Sequence, residues 1–114
     1  MQERRETILP PGIDRQLIIA AGKDQIINSV LFYFGFTMEE VKVRTRKLAI
    51  LVPRHYIHYF MTILDMPLRE IGETTMMDHG SVIRSRDVIE NWIQVDKHFR
   101  AQTYAIATLI INKQ

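Results

Sequence analysis

The chain has 114 residues, 46% hydrophobic and 25% charged, with 15 Lys and Arg against 13 Asp and Glu for a formal net charge of +2. Such a length serves one core rather than two, and the composition is that of a globular domain rather than a disordered chain. The absence of cysteine excludes a disulfide framework, a thiolate metal site and a cysteine nucleophile together.

Residues 1–13 carry Pro10, Pro11 and Gly12 without a helical period and read as an arm or tail. The charged start, Met1-Gln-Glu-Arg-Arg-Glu, is not followed by the apolar core of a signal peptide. No run approaches the roughly 18 apolar residues of a membrane span, so a cytoplasmic chain without a membrane partner is expected. Residues 14–21 form an expected short helix closed by Gly22. The chain thus divides into an N-terminal arm or short helix, 1–22, and a main domain, 23–114.

In 24–34, Ile26, Ile27, Val30, Leu31, Tyr33 and Phe34 recur at helical spacing, with Asp24 as a cap and Gly35 suited to the C′ position. Thr37 and Glu40 have the spacing of a capping box, which opens a short helix carrying Val41. The stretch from Val41 to Leu64 holds Lys42, Arg44, Arg46, Lys47 and Arg54 and no acid, a positive patch on a nearly neutral chain. The apolar run 48–52 resembles a strand, but a lone strand has nothing to pair with here, so a helix or buried linker is preferred.

Pro53 suits the first position of a helix running to about 64. Its apolar residues Tyr56, Ile57, Phe60, Met61, Ile63 and Leu64 mark it as the central core helix, and Arg54, His55, His58 and Thr62 fall on one polar stripe. Pro67 opens a short helix over 68–73. A turn at 74–77 leads to Asp78, a good N-cap for a helix through 92, with Val82, Ser85, Ile89 and Ile93 inward and Gly80, Arg84 and Asp87 outward. Residues 96–112 close the chain as a helix with Phe99, Thr103, Ile106 and Ile110 inside. The fold class is all-α, of six or seven helices.

Two short helices joined by a tight turn, the second capped and polar on its outer side, are helix-turn-helix organisation. In that geometry the start of the second helix meets base edges in the major groove. Asp78, His79, Ser81 and, one turn on, Arg84 are therefore the candidate base readers. Arg44, Arg46, Lys47 and Arg54 are the candidate backbone contacts, which position the protein without reading sequence.

These residues carry a family resemblance. Pro53-Arg54 opening an apolar helix, Leu68-Arg-Glu-Ile71-Gly72, then Asp78-His79-Gly-Ser81-Val82 and Ile89-Glu90 resemble the C-terminal, origin-binding domain of the bacterial DnaA replication initiators, over about 26–110. That family has a basic loop, a Pro-Arg helix start, a Leu-Pro-Glu-Ile-Gly helix and an Arg-Asp-His-Thr-Thr-Val signature. The resemblance implies a helical fold of the Trp-repressor-like type that binds double-stranded DNA. By the same resemblance Asp78, His79 and Ser81 match the signature, Arg44, Arg46 and Lys47 the basic loop, and Arg54 the arginine after the helix-opening proline. The chain departs at Met77, where the family has Arg, at Gly80, where it has Thr, and in a turn one residue short that lacks the family's Gly-Gly. An arginine–guanine contact is worth about 1–3 kcal/mol of discrimination, so sequence reading is expected to be weakened or redirected.

No P-loop is present: Gly22-Lys23 is followed by Asp24, and Leu17 stands where the upstream glycine belongs. The length leaves no room for an ATPase domain, so a stand-alone bacterial or phage DNA-binding protein without nucleotide cofactor is expected, acting in replication or transcription control beside a replication or regulatory protein. His55 and His58 share a helical face, but with no third ligand near in sequence no metal site is assigned. They are expected instead as a surface stripe meeting solvent or phosphate. Trp92, Tyr56 and Phe60 read as core, and Arg86 with Glu90 as an intrahelical pair. No nucleophile set or carboxylate pair is spaced for catalysis, so no enzyme is expected. Met77 and Gly80 leave one alternative, a protein-interaction module that kept the fold and lost base reading.

Overall fold

The structure, a computed structural model, describes residues 5–112, so residues 1–4 of the predicted arm lie outside the described residues. The described residues form six helices, α1 (Arg15–Phe34), α2 (Met38–Val41), α3 (Leu48–Met61), α4 (Leu68–Glu73), α5 (His79–Val95) and α6 (Lys97–Asn112), and no strand.

The two helices expected on either side of Gly22 are joined as α1, with a break at Gly22 (φ 83°, ψ 175°). Asp14 caps the start through the Gln16 N–H at 2.9 Å. At the other end the N–H groups of Gly35 and Phe36 both turn back to the Leu31 carbonyl, a left-handed closure that glycine allows. Contrary to the sequence expectation, α1 is by length and composition apolar enough to cross a membrane, with 20 residues and a mean hydropathy of 1.2. Its break at Gly22 divides that length, and Ile18, Ile26, Ser29 and Val30 are buried against the rest of the chain.

The capping box of α2 is present in both directions: Thr37 Oγ1 accepts from the Glu40 N–H, and Glu40 accepts from the Thr37 N–H at 2.8 Å. Helix α3 departs from expectation at its start. The run 48–52 is its first turn, and Pro53 is inside it rather than at its head. Proline there leaves the Ala49 carbonyl without its intrahelical donor. Ala49 is exposed, so water can take the place of that bond, while the extra turn lets Val52 pack against the core.

The centre of the molecule is α3, whose Tyr56, Ile57, Tyr59, Phe60 and Met61 are fully buried. It is wrapped by α1, α5 and the smaller helices, and α6 lies against α1 and α5. Trp92 of α5 stacks on Phe99 of α6 with ring centroids 4.0 Å apart, an aromatic pairing that adds to simple burial. The inward residues expected for α5, Val82, Ser85, Ile89 and Ile93, are all buried.

Residues 5–13 are tied to the body. Tyr59 Oη donates to the Ile8 carbonyl at 2.5 Å, and the hydroxyls of Thr7 and Thr62 lie 2.7 Å apart. Glu90 accepts from Arg5 at 2.5 Å and from the Ile8 N–H at 2.7 Å. The strap from the N-terminus, rather than Arg86, is thus the main partner of Glu90. Burial alone would raise that carboxyl, but the bonds from Arg5 and Ile8, with the charges of Arg5 and Arg86, hold it below its usual range.

Candidate nucleic-acid interface

Helices α4 and α5 meet at a turn built around Gly72. The Met77 N–H donates to the Gly72 carbonyl at 2.8 Å, and Met76 between them takes a left-handed φ of 60°. This close return sets where α5 begins. There Asp78 caps the helix, accepting from the Ser81 N–H at 2.8 Å. That bond is the main reason its carboxyl is held below the ordinary range. Asp78, His79 and Arg84 are exposed and Ser81 is half-buried, so the four predicted base readers lie on the first turns of one helix with three of them open to solvent.

The basic loop, residues 42–47, is fixed from below. Arg54 Nε donates to the Val41 carbonyl at 2.9 Å, and its Nη2 donates to the Val43 carbonyl. This corrects the expectation that Arg54 faces DNA phosphate. The side chain is 6% exposed, and its donors hold the loop. Burial and then the neighbouring Arg44 charge lower its pKa. Arg44, Arg46 and Lys47 are exposed as expected. Arg44, Arg46 and Arg54 line one hollow of about 450 Å³ together with Ser81 and Arg84 of α5. The structure therefore brings Arg44 and Arg46 beside the start of α5. Lys47 lies in an adjoining groove with Glu40 and Val43.

The predicted polar stripe of α3 is also corrected. His58 is fully buried, with Nδ1 2.9 Å from Ser85 Oγ and Nε2 2.6 Å from Thr75 Oγ1. His55 is half-buried, its Nδ1 2.8 Å from the same Ser85 hydroxyl. Burial first, then the charges of His55 and Arg54, push His58 down to about 3. Burial, with Arg54 and Arg84, also lowers His55. His58 is therefore neutral at pH 7, and the two rings join three parts of the site: α3, the turn after α4, and α5. A signal for this existed in the sequence. Ser85 sits among Val82, Ile89 and Ile93 on an otherwise apolar face, and a buried hydroxyl requires a partner.

Comparison with known proteins adds to this geometry. A family model described as the bacterial DnaA protein helix-turn-helix matches residues 23–89. The chromosomal replication initiator proteins DnaA of Lacticaseibacillus casei (strain BL23) and Lacticaseibacillus paracasei (strain ATCC 334) are each 30% identical over 91 residues, covering 78% of this chain and 20% of theirs. The chain thus spans about a fifth of the length of these curated relatives. No solved structure matches it.

Proposed function

Because the chain belongs to the bacterial DnaA helix-turn-helix family, we propose that it binds double-stranded DNA, placing the start of α5 in the major groove and the basic loop on the backbone. The observation that carries this is the convergence of Arg44 and Arg46 with Ser81 and Arg84 on one side of the molecule. Helix-turn-helix proteins read bases with the N-terminal residues of the second helix, and loop cations supply affinity that is independent of sequence. Asp78, His79, Ser81 and Arg84 are the proposed readers, and Arg44, Arg46 and Lys47 the backbone contacts. With Met77 and Gly80 at two positions of the reading turn, the target differs from that of a chain carrying Arg and Thr there. The proposed setting is replication or transcription control in the cytoplasm, with no catalytic step assigned to these residues.

The test is binding to a labelled random-sequence duplex across a salt series, followed by selection from the bound pool. Affinity should fall with a log–log slope of about −0.9 per neutralised phosphate. Arg44→Ala with Arg46→Ala should remove about two such units, and an enriched motif should change in His79→Ala. No binding at low salt would overturn the reading in favour of a protein-interaction module.

A further inference from the structure

The side of α5 that faces the basic loop is concave rather than flat. A hollow of about 450 Å³ is lined by Arg44, Arg46, Arg54 and Arg84, together with Thr45, Met77 and Ser81. It adjoins a second one of about 240 Å³, which shares Arg54, Met77, Ser81 and Arg84 and is also lined by His55, His58 and Ser85. No carboxylate is among the lining residues of either.

Four arginines crowd here, with little compensation beyond the charge of Asp78 on Arg84. The ion pairs given by the described residues gather elsewhere, on Arg5, Arg15 and Arg86. Asp78, the acid whose charge interacts with Arg84, is committed to the Ser81 N–H as the helix cap. Beyond the effect of burial, Arg44 acts on Arg54, and Arg54 and Arg84 act on His55, each disfavouring a further proton. Arg54 is 6% exposed and bonded to two loop carbonyls, so one wall of the hollow is held in place before anything binds. Cations gathered around a concavity are stabilised most by a compact, multiply charged oxyanion, and the planar guanidinium fork matches phosphate oxygens two at a time.

We propose that this hollow is a seat for a phosphate group, gripped by Arg84 from α5, which here meets phosphate rather than a base edge, and by Arg44 and Arg46 from the loop, with Arg54 fixing the loop side. The seat rests on the DNA-binding reading only for its physiological occupant. The group belongs either to the backbone of a bound duplex or to a free phosphorylated ligand.

Calorimetry of the full chain with inorganic pyrophosphate, against sodium chloride of equal ionic strength, tests the seat without DNA. We expect one site per chain, weakened about tenfold by Arg84→Gln, as for the loss of one charge-assisted hydrogen bond. Lys23→Gln on α1, outside the hollow, should leave it unchanged. Heat no greater than that of chloride, or equal binding by wild type and Arg84→Gln, would overturn the proposal. A duplex carrying single methylphosphonates, scanned along a selected site, then identifies the occupant. One position whose neutralisation weakens wild type but not Arg84→Gln assigns the seat to the DNA backbone. Pyrophosphate binding that depends on Arg84, with duplex affinity indifferent to it, assigns it to a free ligand. Pyrophosphate binding with no duplex binding at low salt would sink the DNA-binding reading and leave the seat standing.

Discussion

Gly72 in α4 lies so close to the following turn that a Cβ on it would sit 2.4 Å from the Met77 carbonyl oxygen and 3.0 Å from that of Asp78. Both obstacles are backbone and cannot swing aside. The Met77 N–H also bonds the Gly72 carbonyl at 2.8 Å, so the two residues are locked in both directions. Gly72→Ala must push the start of α5 away from α4. Overpacking of this kind costs about 1–3 kcal/mol. A urea midpoint indistinguishable from wild type would show that the turn yields, and the argument that Gly72 sets the position of α5 would fail.

Met76, in the same turn, holds a φ of 60° and is 70% exposed. A left-handed conformation costs a side-chain-bearing residue about 1–2 kcal/mol, and glycine returns part of that as unfolded-state entropy. Met76→Gly should therefore stabilise the fold by about 0.5–1 kcal/mol net. Thermal unfolding checks this, and a lowered midpoint would mean that the Met76 side chain packs where its exposure says it does not.

Gly80 is the opposite case. A Cβ there would meet only Asp78 Oδ1, at 3.5 Å, an ordinary contact. Its backbone is helical, so nothing in the fold requires glycine. Gly80→Ala should raise stability by roughly 0.5–1 kcal/mol. Measured alongside duplex affinity, it separates two roles: a gain in stability with unchanged binding makes the glycine incidental, whereas weaker binding makes it the point where DNA approaches the helix.

The starts of α2 and α5 were legible in the sequence because capping is local, whereas Asp24, expected as a cap, lies inside α1. Asp14, Thr37 with Glu40, and Asp78 each bond a backbone N–H two or three residues away. The interior of the site was not legible in the same way. Arg54 bonds carbonyls 11 and 13 residues back, and His58 bonds Thr75 and Ser85, 17 and 27 residues ahead. Spacing on one helix assigns a face but not what covers it, so a stripe read as solvent-facing proved to be the seam between α3 and α5. Pro53 misled for a related reason. Its local preference for a helix start was overridden by the gain from packing Val52 one turn earlier.

That seam makes stability depend on pH. Folded His58 takes a proton only near pH 3, while the unfolded chain takes it near 6.5. Between those values the unfolded state binds more protons, so stability is full above about 6.5 and is lost as pH falls. One such group contributes a slope of about 1.4 kcal/mol per pH unit, and His55, also lowered, adds with the same sign. Glu90, also depressed, acts only below its ordinary value of 4.5. Urea unfolding between about pH 5 and 6.5 therefore isolates the imidazoles. His58→Gln, neutral throughout, should flatten the slope, and an unchanged slope would place its origin elsewhere.

Arg54 and Arg44 separate positioning from contact. Arg54→Met keeps most of the stem but leaves the Val41 and Val43 carbonyls without their donor. A buried acceptor deprived of its partner costs about 1–3 kcal/mol, so this variant should lose stability. It should also bind duplex more weakly, because the loop it anchors loosens, while the salt slope stays within about 0.3 of wild type, well short of one phosphate equivalent. Arg44→Gln should do the reverse. Exposed and outside the core, it should change stability by no more than about 0.5 kcal/mol, yet lower the slope by about 0.9. Unfolding curves and salt titrations of both variants decide between the roles. If Arg54→Met instead kept full stability and lost 0.9 of slope, as Arg44→Gln is expected to do, Arg54 would be a phosphate contact after all, and the loop would owe its position to its own backbone.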